Sequence, residues 1–332
     1  MHSTTKISLT REKLSGLTEH ALGLRAVRAD ELADGWFNTI YRLELHDGRS
    51  VVIKISPPPG HSVMRYERDL MQVEVDVLRL LGDVDGVPVP EVFAFDDSRE
   101  VIGHDYFIMD YVPGEAYSRA RDDLSSAERS SIETELGAIS ARVNAIAGRR
   151  YGRYLDDRSA SRSWADSFTA MIDDVLLDAA DTGTALPVPG DAILDACRRG
   201  RAALDEVDTP RLVLWDLHPG NVFVSEGRVS GIIDVDRAIW GDPLMEFFFR
   251  SFAGASQEFR AAYGSEASSG QAGAEQKAPA AQRIWLYDLY LALIMVVECS
   301  FRGFEAAHRE WAVRQLMRVV EAAEPPWIEI SR

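Results

Sequence analysis

The sequence has little of what marks a disulfide-rich, zinc-binding or membrane-spanning protein. It contains only two cysteines, Cys197 and Cys299, which are too few for a disulfide framework and too far apart for zinc-type ligand spacing. The longest apolar run, residues 289–297, ends at Glu298 and is about half the length needed to cross a bilayer. Residues 1–20 lack the apolar core of a signal peptide. We therefore expect a cytoplasmic protein that does not enter a membrane.

Basic residues are also scarce, since 36 Lys and Arg face 53 Asp and Glu and give a net charge of -17. This balance argues against nucleic acid as a partner, because binding phosphates requires clustered Lys and Arg. It is compatible with a cationic substrate that is steered toward an acidic cleft, but taken alone it favours an acidic surface that only keeps the protein soluble. An apolar fraction of 46% and a charged fraction of 27% are those of a folded globular chain.

The hydrophobic pattern changes along the chain from strand-like to helical. Residues 36–55 predict a hairpin turning at Asp47-Gly48. A helix is predicted over residues 64–83, ending at Gly82, and two more strands within 86–97 and 100–112. Further helices are predicted over 125–148, 162–180, 190–206 and 284–321, and residues 254–283 read as a mobile loop or a weak helix. The pattern predicts an α+β protein with a β-rich N-terminal lobe, residues 1–112, and a mainly helical C-terminal lobe, residues 113–332.

Residues 211–243, "RLVLWDLHPGNVFVSEGRVSGIIDVDRAIWGDP", crowd acids and amides between apolar strands. Asp216 and Asn221 lie five residues apart in a loop, and a hairpin turning at Glu226-Gly227 brings Asp234 back beside Asn221. A carboxylate can accept a proton, and carboxylate and amide oxygens are suitable Mg²⁺ ligands. The segment therefore predicts a base next to a magnesium site, as phosphoryl transfer requires.

The spacing D-x-x-x-x-N, followed by a strand and an Asp, is that of a protein-kinase catalytic loop. With "GDP" downstream, the segment resembles the aminoglycoside phosphotransferase and choline-kinase-like family of small-molecule kinases. The resemblance implies a protein-kinase-like two-lobed fold, ATP and Mg²⁺ as cofactors, and transfer of the γ-phosphate to a hydroxyl of a small molecule. It also implies that Asp216 accepts the hydroxyl proton and that Asn221 and Asp234 hold Mg²⁺.

A kinase of this kind needs a strand lysine paired with a helical glutamate. Lys54 lies in the apolar strand "SVVIKIS", where an unpaired ammonium would be costly, although a lysine at a strand end can also extend to solvent. The following helix offers Glu67 and Glu74. The family register favours Glu74, and Glu67 is expected nearer to solvent.

The resemblance places the nucleotide on two further stretches. Gly35 and Asn38, in "DGWFNTIY", would cover the phosphates, although a simple turn before a strand explains this stretch as well. The backbone of Asp110 and Val112, in "YFIMDYVPG", would hydrogen-bond the adenine.

The acceptor is expected on the helical lobe, with candidate contacts from Glu246, Asp288, Glu298 and Trp285. The alternative is that these residues belong to a helical core stripe. An aminoglycoside-like or other antibiotic is favoured as the acceptor, with a sugar, an amino alcohol or a choline-like metabolite as the alternative. Two rival functions are a catalytically inactive nucleotide-binding protein and a protein kinase. A monomer or a homodimer is expected.

The segment departs from the family pattern at Leu214-Trp215, where His-Gly is usual. We expect Trp215 to pack in the core, with the edge of the acceptor site as the alternative. His218 is expected to brace the loop or to reach a phosphate. Asp236 is expected to support the metal or to cap a turn, and Asp242 to cap the helical turn that begins at Pro243.

Overall fold

The structure is a computed structural model that describes residues 6–32, 37–267 and 278–322. Over these residues the helices are α1 (Arg11–Leu22), α2 (Leu70–Gly82), α3 (Tyr117–Ala120), α4 (Ser126–Ala145), α5 (Trp164–Asp181), α6 (Gly190–Leu204), α7 (Gln257–Glu266), α8 (Ala278–Arg302) and α9 (Ala306–Glu321). The strands are β1 (Ala26–Glu31), β2 (Thr39–Leu45), β3 (Ser50–Ile55), β4 (Val92–Asp96), β5 (Tyr106–Asp110), β6 (Glu115–Ala116), β7 (Gly152–Arg153), β8 (Arg211–Val213), β9 (Val222–Ser225), β10 (Arg228–Ile232) and β11 (Ile239–Gly241). The longer strands precede the longer helices, so the predicted α+β class is confirmed.

Strands β1 to β5 form an antiparallel sheet in the order β1-β2-β3-β5-β4. Along β2, Tyr41, Leu43 and Leu45 are buried at every second position, as in a strand with one face on a core. Strand β3 lies at the centre of the sheet, and its residues 51–55 are all buried. The predicted hairpin between β2 and β3 is confirmed, with Gly48 at a φ of 88° in the turn. This central position carries Lys54 into the interior.

The predicted hairpin in the polar segment is also present. Strands β9 and β10 pair antiparallel, and β6 pairs with the other edge of β9. Glu226 and Gly227 in the turn have φ values of 52° and 73°, the left-handed conformation that tight hairpin turns require. The hairpin fixes the register that brings Asn221 and Asp234 together.

Contacts within the chain define two compact units. Of the described residues, the first unit holds 6–32, 37–62, 69–120 and 219–236, and the second holds 63–68, 121–218, 237–267 and 278–322. The hairpin of β9 and β10 therefore belongs to the unit that carries the N-terminal sheet, although it lies far along the sequence. The lobe boundary predicted at residues 112/113 stays a prediction.

The second unit is built around α8, which packs against α5, α6 and α9. Residues Pro279–Arg302 form the one helix in the described ranges that is long and apolar enough to cross a membrane by length and composition. Of its most apolar window, 67% is buried within the protein, which is also how the core helix of a globular protein looks.

The structure differs from the sequence predictions in several elements. Helix α2 begins at Leu70 rather than residue 64, because Asp69 has a φ of 59°, and residues 65–67 form a 3₁₀ turn that belongs to the second unit. The helix predicted over 284–321 is two helices, separated at Gly303, which has a φ of 63°. Helix α1, strand β1 and helix α7 were not predicted as defined elements. The segment 254–283 contains α7 and the start of α8, and its remaining part lies outside the described residues.

Candidate active site

Lys54 forms two ion pairs in the interior of the first unit. Its Nζ lies 2.5 Å from Glu74 Oε2 and 2.6 Å from Asp234 Oδ1. The Lys54 and Glu74 side chains are buried, whereas that of Asp234 is partly exposed. The structure thus brings Lys54 to the predicted Glu74 and adds the Asp from the hairpin.

The charges of this cluster stabilise one another. Burial by itself would lower the pKa of Lys54, but the Asp234 and Glu74 carboxylates outweigh burial and raise this pKa above its usual range. Burial raises the pKa of Glu74, and Lys54 opposes that change. We conclude that Lys54 is a permanent ammonium, fixed beside a partly exposed carboxylate.

Glu74, Asp234 and Asp236 form a group of carboxylates that can share one cation. One oxygen from each residue lies within 4.8 Å of the other two. Asn221 is buried at the start of the same hairpin, and its backbone carbonyl accepts a hydrogen bond from Ile233 N–H at 3.0 Å. This arrangement supplies the hard oxygen donors that Mg²⁺ prefers. Asp236 is part of the group, consistent with one of the two roles considered for it.

The residues predicted to contact the nucleotide elsewhere also belong to the first unit. Asp110 ends β5 and its N–H donates to Glu91 C=O at 2.9 Å, while Val112 follows β5 and is nearly buried. Val112 packs against Gly231 on β10, where an added Cβ would lie 2.5 Å from Val112 Cγ1. Asn38 is buried just before β2. Gly35 lies outside the described residues.

Asp216 lies in the second unit, on a loop with an unusual backbone. Its N–H donates to Leu214 C=O at 2.7 Å, which closes a γ-turn around Trp215. Trp215 has a φ of 65°, a conformation that costs energy for a bulky residue and none for glycine. The glycine usual in the resembling family therefore has a backbone reason at this position.

Two buried ionisable side chains, Glu246 and Arg250, hydrogen-bond to the backbone of this loop. Glu246 Oε2 accepts a hydrogen bond from Leu214 N–H at 3.0 Å, and Arg250 Nη2 donates to Trp215 C=O at 2.9 Å. Burial raises the pKa of Glu246 to about 7. Sequence reasoning missed Arg250 altogether.

Arg237 is a second residue that the sequence reasoning missed. Its Nη1 lies 3.6 Å from Asp216 Oδ2, and both side chains are partly exposed. Its guanidinium lies over Trp215 at 5.5 Å and over Tyr66 at 5.3 Å from the ring centroids. A basic residue three positions after the metal-site Asp was the available signal.

The expectation that Trp215 packs in the core is confirmed. The side chain is 3% exposed, and its ring contacts Tyr66 and Tyr290 at centroid distances of 6.4 Å and 5.7 Å. His218 packs its ring against Phe247 at 6.0 Å. The predicted cap at Asp242 is also confirmed, since its carboxylate accepts a hydrogen bond from Leu244 N–H.

The four predicted acceptor residues take different positions in the second unit. Glu246 is the buried brace described above. Asp288 is buried and accepts a hydrogen bond from Ser251 N–H at 3.3 Å, and Trp285 donates to Val319 C=O at 2.7 Å. Glu298 remains partly exposed and pairs with Arg302. The structure does not gather these four around one point.

The expectation that Glu67 lies nearer to solvent is wrong. Glu67 is 4% exposed and forms a short ion pair with Arg302, which also binds Glu298. It lies in the 3₁₀ turn of residues 65–67, whose neighbour Arg65 pairs with Asp178 on α5.

A model of the "Phosphotransferase enzyme family" matches residues 28–280, more than half of the chain. The chain belongs to this family. The resemblance inferred from the catalytic segment is thereby confirmed.

Solved structures of this family share the fold. A thermostable mutant of aminoglycoside phosphotransferase APH(4)-Ia, in a ternary complex with AMP-PNP and hygromycin B, has a TM-score of 0.66 at 17% identity. The match covers 93% of this chain and 98% of that one. A fructosamine-3-kinase-like protein from Thermobifida fusca has a TM-score of 0.66 at 20% identity, covering 95% and 100%. The predicted protein-kinase-like fold is confirmed.

A relative in Arabidopsis thaliana, named "Probable acyl-CoA dehydrogenase IBR3", is 28% identical over 241 residues, which are 66% of this chain and 27% of that protein. The chain spans about a quarter of the length of the curated relatives it matches.

Proposed function

We propose that this member of the phosphotransferase enzyme family is a small-molecule kinase that transfers the γ-phosphate of ATP to a hydroxyl. The observation that carries the proposal is the buried Lys54, paired at once with the helical Glu74 and the hairpin Asp234. An isolated structural lysine does not need two carboxylates from separate elements. Phosphoryl transfer does need a fixed ammonium beside a metal-binding carboxylate.

In this proposal the first unit binds the nucleotide. Lys54 neutralises phosphate charge, and Glu74 holds its ammonium in place. The backbone of Asp110 and Val112 binds the adenine, as the family resemblance implies, and Asn38 lies over the phosphates.

The donor set fits a magnesium ion. Glu74, Asp234 and Asp236 supply carboxylate oxygens close enough to share a cation, and Asn221 would add an amide oxygen. Bound there, Mg²⁺ would neutralise the negative charge that accumulates on the transferred phosphoryl group. Asn221 and Asp234 are the proposed direct ligands.

In the second unit, Asp216 is the proposed base. Asn221, in the first unit, follows it five positions later in the sequence. The Glu246 and Arg250 hydrogen bonds fix the backbone on either side of Trp215 and thereby restrain the position of the adjacent Asp216. Arg237 Nη1 lies 3.6 Å from Asp216 Oδ2, beside the carboxylate that is proposed to accept the hydroxyl proton.

The chemical class of the acceptor has two candidates. Neighbouring structures contain hygromycin B or belong to a fructosamine-3-kinase-like protein, which supports either an antibiotic or a small metabolite. Of the four predicted acceptor residues, Glu298 is the one whose carboxylate remains partly exposed. A cytoplasmic location and a monomeric or homodimeric state also remain predictions.

An ATP-consumption screen against hydroxylated antibiotics, sugars, hydroxy acids and amino alcohols tests the proposal. We expect at least one class to produce ADP above background in the presence of Mg²⁺, and Asp216→Ala to abolish that signal. The catalytically inactive rival predicts a thermal shift with MgATP and no ADP with any class. Phosphorylation of a protein substrate instead would favour the protein-kinase rival.

A further inference from the structure

Two buried hydrogen-bond donors without a partner among the described residues lie beside Arg237, the ion-pair neighbour of Asp216. They are the hydroxyl of Tyr66 and the indole N–H of Trp215. The two side chains are 7% and 3% exposed, and their rings contact each other at 6.4 Å in an edge arrangement. Buried polar groups without partners destabilise a fold, so a pair of them in contact requires an explanation.

Arg237 connects this donor pair to the proposed base. Its guanidinium carbon lies 5.3 Å from the Tyr66 ring and 5.5 Å from the Trp215 ring, and its Nη1 lies 3.6 Å from Asp216 Oδ2. All four residues belong to the second unit. Arg237 thus contacts both the donor pair and the proposed base.

The donor-only indole N–H and the neighbouring Arg237 both disfavour a cation as the partner of this pair. An indole N–H can only donate, and burial raises the pKa of Tyr66 well above its ordinary value, so the phenol keeps its proton. An ammonium has no lone pair to offer either group, and Arg237 would repel it. The nearby carboxylates of Glu67 and Glu298 are both paired with Arg302.

We propose that Tyr66, Trp215 and Arg237 form a subsite for a carboxylate on the phosphoryl acceptor. The inference rests on the proposed function, since it names the class of molecule that this kinase phosphorylates: a hydroxy acid rather than a polyamine. A carboxylate has lone pairs for both donors and a charge opposite to that of Arg237. Its binding would require small movements of the Tyr66 and Trp215 side chains, whose polar atoms are enclosed in the free protein.

Matched acceptor probes test the charge preference. Hydroxy carboxylates and amino alcohols of equal chain length, from three to six carbons, are compared with kanamycin in the ATP-consumption assay. The subsite predicts at least tenfold higher kcat/KM for the best hydroxy carboxylate than for its amino alcohol partner. Preference for the amino alcohols or kanamycin would overturn the subsite and leave the proposed kinase intact. No response to any of these probes would also overturn the subsite, while the broader screen judges the kinase.

Two conservative variants test the donors themselves. Tyr66→Phe and Trp215→Phe each remove one donor and keep an aromatic ring. We expect each to raise KM for the best hydroxy carboxylate at least fivefold and to leave the Kd of MgATP unchanged, because the nucleotide residues belong to the other unit.

The melting temperature of the ligand-free variants separates binding from structure. A donor kept only for an acceptor's carboxylate lowers stability while it is unpartnered, so Tyr66→Phe should melt no lower than the wild type. An unchanged KM in both variants, or a lower melting temperature of Tyr66→Phe with an unchanged KM, would show a merely structural role and overturn the inference.

Discussion

The two compact units use buried charge in different ways. In the first unit, Lys54, Glu74 and Asp234 pair with one another, and the cluster ends in a partly exposed carboxylate. In the second unit, Glu246 and Arg250 are buried beneath the loop that carries Asp216, and both bind backbone groups of that loop. The first arrangement leaves a carboxylate accessible at its edge, whereas the second fixes the backbone of a loop.

This difference explains why the sequence indicates the roles of buried charges in the first unit more clearly than in the second. A lysine within an apolar strand and an acid after a hairpin each indicate an ionic partner from the sequence, because burying a charge without a partner is costly. Glu246, in "PLMEFFF", indicates only that its carboxylate needs a hydrogen-bond partner. That partner turned out to be the backbone N–H groups of Leu214 and Phe247.

The largest effect is expected from the second unit. Asp216→Ala should lower kcat by about 10³-fold, because the base that accepts the hydroxyl proton is lost. The Kd of MgATP, measured by calorimetry, should stay within twofold, because the nucleotide residues belong to the other unit. Near-normal turnover would show that another group is the base.

In the first unit, Lys54→Met should reduce stability by about 3 kcal/mol or more, since it leaves the buried Glu74 carboxylate without its partner. Urea unfolding measures this loss. The double variant Lys54→Met/Glu74→Gln is the matched control and should recover at least half of it. A double variant as unstable as the single one would show that the lysine acts through packing instead.

The brace in the second unit should give stability a pH dependence. Burial raises the pKa of Glu246 from 4.5 to about 7 in the folded protein, although the neighbouring Arg250 opposes this and Asp216 adds to it. The folded protein holds this proton more tightly than the unfolded chain, so the contribution is full below pH 4.5 and is lost as pH rises through about 7.

Wild type should therefore lose up to about 3 kcal/mol relative to Glu246→Gln between pH 4.5 and pH 8. Urea unfolding of both proteins across this range isolates the contribution of one carboxyl. Parallel curves would contradict the assignment.

The smallest effect on stability and ATP binding is expected in the first unit, at Gly231. Gly231→Ala places a methyl group against Val112 Cγ1 and should cost about 1–2 kcal/mol in stability and weaken ATP binding several-fold. Adding Val112→Ala makes room for the methyl group and should restore both. If the double variant binds ATP no better, Gly231 affects the site in some other way.

Much of the fold was predictable because its elements carry local signals. The Asp47-Gly48 and Glu226-Gly227 turns define their hairpins, and the apolar stripes of α4, α5 and α6 predicted those helices. The start of α2 was predicted wrongly, because residues 65–67 bind Asp178 and Arg302 rather than continuing the helix. Such ion pairs connect residues more than a hundred positions apart.

The same limit applies to the site. Lys54, Glu74 and Asp234 were chosen from the sequence, and the structure brings them together. Arg237 was missed although it follows Asp234 by three positions, and Arg250 was missed because nothing local distinguishes it from other arginines. Among the expected acceptor residues, burial and existing hydrogen bonds separate Glu246, Asp288 and Trp285 from the partly exposed Glu298.

The sequence by itself determined the family, the catalytic segment and the pairing of Lys54 with Glu74, because spacing along one loop and one helix register is local information. Tertiary structure alone decided how the loop of Asp216 is held and which side chains the indole of Trp215 contacts. Trp215 takes a backbone conformation suited to glycine, and Arg250, far along the chain, binds its carbonyl. Contacts between distant residues form only when the chain is folded, so no local pattern records them.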